Sequence, residues 1–144
     1  MVIAVRVAVL VMTFVSASIA GLVAARDGLF HPGKGLLLTS GLVFAHAANT
    51  LLHDLTDTKR VVDQDNYFRS HYGPQTIQQG LLSQAEILVY TALTASIALL
   101  AGIALLAQSG PLAVPLLLTG AFFLLFYTYP LKYIGMGEFA VILI

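Results

Sequence analysis

From Ile87 to Leu131 the chain carries no charged side chain. Soluble domains place a charge at about one residue in four, so a stretch of this kind belongs in lipid. Crossing about 30 Å of hydrocarbon takes roughly 20 mostly apolar residues in a helix. The stretch is long enough for two such helices, and Gln108-Ser109-Gly110-Pro111 divides it with the Gly and Pro of a tight connection. Spans near 87–107 and 112–130 follow. Two earlier uncharged runs, one between Arg6 and Arg26 and one between Lys34 and the His53-Asp54 pair, give spans near 7–25 and 35–53. The first is too long and too closely followed by further spans to be a signal peptide.

A fifth apolar run, 134–144, is still apolar at Ile144; counted from Tyr133 it makes about 18 Å of helix, short of a crossing. The expected fold is all-α, a polytopic transmembrane helical bundle of four complete spans plus the start of a fifth. In that reading the chain is the front part of a longer membrane protein. Only helices and closed barrels satisfy backbone polar groups in lipid.

Composition narrows function by exclusion. The 144 residues are 58% hydrophobic and 10% charged, seven basic side chains balance seven acidic ones, and mean hydropathy is +0.89. Disorder and a basic nucleic-acid binder are both excluded, so no nucleic-acid partner is expected and the lipid bilayer is. The absence of Cys removes disulfides, thiolate metal sites and Cys nucleophiles. With the N-terminus cytoplasmic, Arg6, Lys59, Arg60, Arg69 and Lys132 lie inside against Arg26 and Lys34 outside. The positive-inside rule favours that orientation and makes the segment 54–76 cytoplasmic. The simplest location is a prokaryotic plasma (inner) membrane.

The rare polar residues cluster at the end of the second span. His46, Asn49 and His53 stand at i, i+3 and i+7, and Asp57 follows His53 by four, so all four share one helix face. A polar stripe on a membrane helix faces the protein interior or water, and a cavity opening at the cytoplasmic edge is expected there. Five of the seven acids are Asp, and four of those lie within Asp54 to Asp65. Carboxylate oxygens suit Mg²⁺, which binds through one or two acids plus substrate phosphates, and nearby Lys and Arg suit the phosphates themselves. The substrate implied has a polyphosphate head and an apolar tail. A loop between membrane helices also collects Asp, Lys and Arg simply by being solvated, and spacing alone leaves both readings open. On their own, His46 reads as a packing histidine with a hydrogen-bond partner, Tyr127, Tyr129 and Tyr133 as an interfacial belt, and Glu86 as a solvated residue at a helix start. Glu138, at membrane depth, reads as functional.

Three blocks in this order resemble the UbiA superfamily of membrane prenyltransferases, and within it the MenA-like branch that prenylates 1,4-dihydroxy-2-naphthoate. Asp54-x-x-Asp57 with Asp63 following is similar to the family's first Asp-rich motif. The segment Arg69-x-x-Tyr72-Gly73-Pro74-Gln75 through Gln79-Gly80-Leu81-Leu82-Ser83 is similar to the stretch after that motif, and Tyr129-Pro130-Leu131-Lys132-Tyr133-x-Gly135-x-Gly137-Glu138 to the turn before the family's fifth helix. Two departures stand out: His53 occupies the place of the family's usual Asn, and the second Asp-rich motif lies on a helix this chain does not reach.

The resemblance implies a truncated UbiA-like fold and a transferase in which a polyprenyl diphosphate ionises and an aromatic carbon attacks the allylic cation. It implies Mg²⁺ held by Asp54, Asp57 and Asp63, with His53 in the Asn position; Asp54 and Asp57 as the catalytic acids; and Asn49, Lys59, Arg60, Arg69 and Lys132 as substrate contacts. The acceptor implied is 1,4-dihydroxy-2-naphthoate or a similar aromatic, in menaquinone biosynthesis, and half a metal site implies an isolated segment that is inactive alone. A reading from another class also stands at this point: a small non-enzymatic membrane protein binding metal or protons along His46, Asn49, His53 and Asp57.

Overall fold

A computed structural model describes the backbone of residues 7–59, 77 and 80–126, and side chains for 10–56, 77 and 80–122. Among the described residues the chain is all-helical, with α1 (Val7–Arg26), α2 (Pro32–Lys59), α3 (Gln84–Leu106) and α4 (Ala113–Phe126) and no strand. It divides into two compact units, Met1–Leu105 and Leu106–Ile144.

In the first unit, α1 stops where Gly28 turns to a φ of 71°, a left-handed conformation that glycine adopts at no steric cost. Leu29 N–H donates to the Ala24 carbonyl at 2.8 Å and Gly28 N–H to the Ala25 carbonyl at 3.1 Å, the double bond of a Schellman cap. Pro32 then opens α2 at the first helical position, where its missing N–H is harmless. At the start of α3, Ser83 and Glu86 form a capping box: Ser83 N–H and its hydroxyl both donate to Glu86 Oε2 at 2.8 Å, and Glu86 N–H donates back to Ser83 Oγ at 3.2 Å. Both satisfy amides that the first turn otherwise leaves bare.

Among the described residues α2 packs against both α1 and α3. On α3 the buried residues are Ile87, Thr94 and Ala101, seven apart, the repeat of a left-handed helix pair. On α2 they are Ala47, Ala48, Leu51, Asp54 and Leu55. Ala47, Leu51, Leu55 and Ile87 form one cluster, with Leu10 of α1, Ile77, Leu82 and Tyr90 against it. Farther along the α2–α3 seam a Cβ on Gly41 would sit 3.3 Å from the Ala101 Cβ. Membrane helices lack a hydrophobic drive to associate and rely on such small-residue approaches. Their hydroxyls look after themselves: Thr50, Thr91 and Thr94 donate to carbonyls of His46, Ile87 and Tyr90, each four residues back.

In the second unit, a turn in which Ser109 N–H donates to the Leu106 carbonyl at 3.1 Å precedes α4, at the break that Gln108 to Pro111 foretold.

Of the four complete spans expected, two helices among the described residues are both long and apolar enough to cross a membrane, Pro32–Thr56 and Gln84–Leu106. The apolar stretches Leu10–Arg26 and Ala113–Phe122 are shorter. The helix α1 itself runs for 20 residues, and α4 is described over 14. The rest of the span near 112–130, and the partial fifth span 134–144, lie outside the described residues.

Candidate functional site

The polar cluster sits where α2 passes its last buried turn. α2 continues through Asp54, Asp57 and Lys59, because backbone hydrogen bonds do not stop at the first charge. Helical period then divides the candidates between two faces. Asp54 is 9% exposed and follows Ala47 by seven and Leu51 by three, which puts it on the packed face with the core cluster. His46, Asn49 and His53 share a neighbouring face and are half-buried. Neighbours in sequence point about 100° apart on a helix, so His53 and Asp54 diverge.

His46 has its partner in α1. Its Nδ1 and the Thr13 hydroxyl are 2.6 Å apart, a hydrogen bond between α1 and α2. The packing reading of His46 therefore holds. Nothing near His46 in sequence signals Thr13, which lies 33 residues earlier. The bond also places His46 two helical turns from His53, and among the described residues there is no group of three His, Asp or Glu side chains able to hold a metal ion.

The cavity expected beside the stripe borders the Asp-rich segment, most of which lies outside the described residues. A cavity of about 160 Å³ opens at the other end of the first unit, lined from α1 by Ala17, Ala20 and Gly21 and from the turn by Phe30. None of the stripe residues lines it. Glu86 is exposed, as expected, and is engaged in its capping box.

Asp54, Asn49 and His53 are thus placed, on two faces of one helix end. Asp57 and Lys59 belong to α2 by their backbone, and their side chains lie outside the described residues. Arg60, Asp63, Arg69 and Lys132 lie outside them altogether, as do Tyr127, Tyr129, Tyr133 and Glu138. The donor chemistry that is described fits a hard cation at Asp54, whose carboxylate oxygens suit Mg²⁺, and poorly at His53, whose imidazole is softer.

The sequence model of the UbiA prenyltransferase family matches residues 13–144. No curated protein and no solved structure matches the chain.

Proposed function

Because this chain belongs to the UbiA prenyltransferase family, whose members are membrane-integral and generally use Mg²⁺ to join a prenyl diphosphate to an aromatic acceptor, we propose that its Asp-rich segment is the diphosphate end of such a site. The observation that carries the reading is Asp54: the first acid of the Asp54-x-x-Asp57 pair is nearly buried on the packed face of α2. In a low-dielectric setting a carboxylate attracts a cation more strongly than it does in water.

Asp54, Asp57 and Asp63 hold the metal, with His53 in the position of the family's Asn. Bound Mg²⁺ would draw charge from the departing diphosphate. Asn49, Lys59, Arg60, Arg69 and Lys132 bind and orient the substrate, the basic members donating charge-assisted bonds to phosphate oxygens. The segment faces the cytoplasm of a plasma membrane, and the acceptor is 1,4-dihydroxy-2-naphthoate, placing the reaction in menaquinone biosynthesis. The Tyr72-Gly73-Pro74 and Tyr129-Pro130-Leu131-Lys132-Tyr133 blocks support that acceptor.

Equilibrium binding of farnesyl diphosphate to the chain in proteoliposomes tests the site. Saturable binding that requires Mg²⁺ and weakens at least tenfold in Asp54→Asn is the expected result. Binding indifferent both to chelation and to Asp54→Asn would remove Asp54 from the site. Thermal stabilisation by 1,4-dihydroxy-2-naphthoate, and not by 4-hydroxybenzoate at the same concentration, tests the acceptor.

A further inference from the structure

A polar pair lies deeper in the helix that carries Asp54, and the diphosphate site does not use it. The Thr13 hydroxyl of α1 and His46 Nδ1 of α2 are 2.6 Å apart. His46 precedes Asp54 by eight residues of one continuous helix, about 12 Å along its axis and about 80° around it. Between them Ala47-Ala48-Asn49-Thr50-Leu51-Leu52-His53 holds neither Gly nor Pro, the usual causes of a sharp kink. A rotation of α2 at His46 therefore arrives at Asp54 undiminished.

Apolar packing sets that rotation loosely. Leu10 of α1 meets the core cluster and Ala17 is buried one turn beyond Thr13, but each such atom pair contributes only ~0.1–0.2 kcal/mol and changes gradually as a helix turns. A hydrogen bond weakens steeply once its angle falls below about 120°, and lipid offers neither group another partner. At about 5 Å from the axis, a rotation of about 20° moves a carboxylate by about 2 Å. Mg²⁺ demands near-ideal octahedral oxygens at about 2.0–2.1 Å, so a rotated α2 no longer offers Asp54 at the right place. We propose that Thr13 is a positioning residue for the diphosphate site: it holds His46, His46 sets the rotation of α2, and that rotation aims Asp54 at the metal. This role depends on Asp54 belonging to that site.

Binding of farnesyl diphosphate with Mg²⁺ to the full chain in proteoliposomes separates affinity from the number of competent sites. Thr13→Val is expected to raise Kd about threefold, the factor that an average hydrogen bond between membrane helices supplies, with the number of sites and the helix content unchanged. Thr13→Ala and His46→Ala raise it as much, and the double variant Thr13→Val, His46→Ala no further. Thr13→Ser, which keeps the hydroxyl, restores the original Kd. Gly28→Ala, which strains the left-handed turn after α1 without touching the pair, leaves Kd as it was. Fewer sites at unchanged Kd in Thr13→Val would overturn the proposal, because a merely structural bond lowers the folded population and not the affinity. Equal rises in Kd in Thr13→Val and Gly28→Ala would overturn it as well, and failure of both Thr13→Val and Thr13→Ala to fold would assign Thr13 to the scaffold. Unchanged binding in Asp54→Asn would remove the site itself, whereas weakened binding in Asp54→Asn beside unaltered binding in Thr13→Val would overturn the positioning role alone.

Discussion

Leu51 has no exposed surface and lies at the centre of the cluster that joins α2 to α3. In a water-soluble core, Leu→Ala costs about 2.7–5.0 kcal/mol, a sum of lost transfer from water and of the cavity left behind. The transfer part, for a fully buried Leu, is about 2 kcal/mol. In a bilayer that part vanishes, because lipid tails are as apolar as the side chain removed, and only the lost contacts and the void remain. Subtracting one from the other leaves about 1–3 kcal/mol for Leu51→Ala. Leu100, on α3 and 66% exposed, has little packing to lose, and Leu100→Ala is expected to cost much less than Leu51→Ala. Unfolding by SDS in mixed micelles, followed by circular dichroism at 222 nm, measures both. Equal losses at the two positions would refute the packed seam. A Leu51→Ala loss above about 4 kcal/mol would mean that a water-transfer term is present, and that this face does not work in lipid.

Three further outcomes follow from the same geometry. Thr13→Val and His46→Ala should be non-additive, with a coupling of about 0.6 kcal/mol, the average for hydrogen bonds between membrane helices, and at most about 1.7 kcal/mol; additive losses in the same unfolding assay would show that the 2.6 Å bond carries no net energy. Gly28→Ala should cost about 1 kcal/mol from left-handed backbone alone, since nothing lies within 4 Å of its Cβ position; an unchanged stability would mean that the cap rearranges. Asp54→Asn should weaken Mg²⁺-dependent diphosphate binding at least tenfold while leaving helix content intact, and a variant that unfolds instead would assign Asp54 to the scaffold.

The helices were legible because charge is so scarce that its positions punctuate the chain, and their ends were less so. The span drawn from 35 to 53 stopped at His53 because a charged pair marks the edge of lipid; α2 runs on to Lys59 because a helix needs no lipid to continue. The span drawn from 87 began after Glu86, whereas the Ser83-x-x-Glu86 box starts α3 at Gln84. In the site, spacing puts His46, Asn49, His53 and Asp57 on one face, and the Asp57 side chain lies outside the described residues. The same period, read from Ala47 and Leu51, puts Asp54 on the packed face, and that signal was present in the sequence. The Thr13 partner of His46 was not, since it depends on how two helices meet.

The turn between Arg26 and Pro32 has a consequence for how the protein is made. With so short a connection, α1 and α2 leave the ribosome as a hairpin, and α1 reaches the translocon before an imidazole that lipid would tolerate poorly. In such an order Thr13 would precede His46 into the membrane, and the 2.6 Å bond between them would satisfy the imidazole as α2 enters. A chain beginning after the turn would lack the Thr13 partner of His46, and insertion of α2 is then expected to be less favourable.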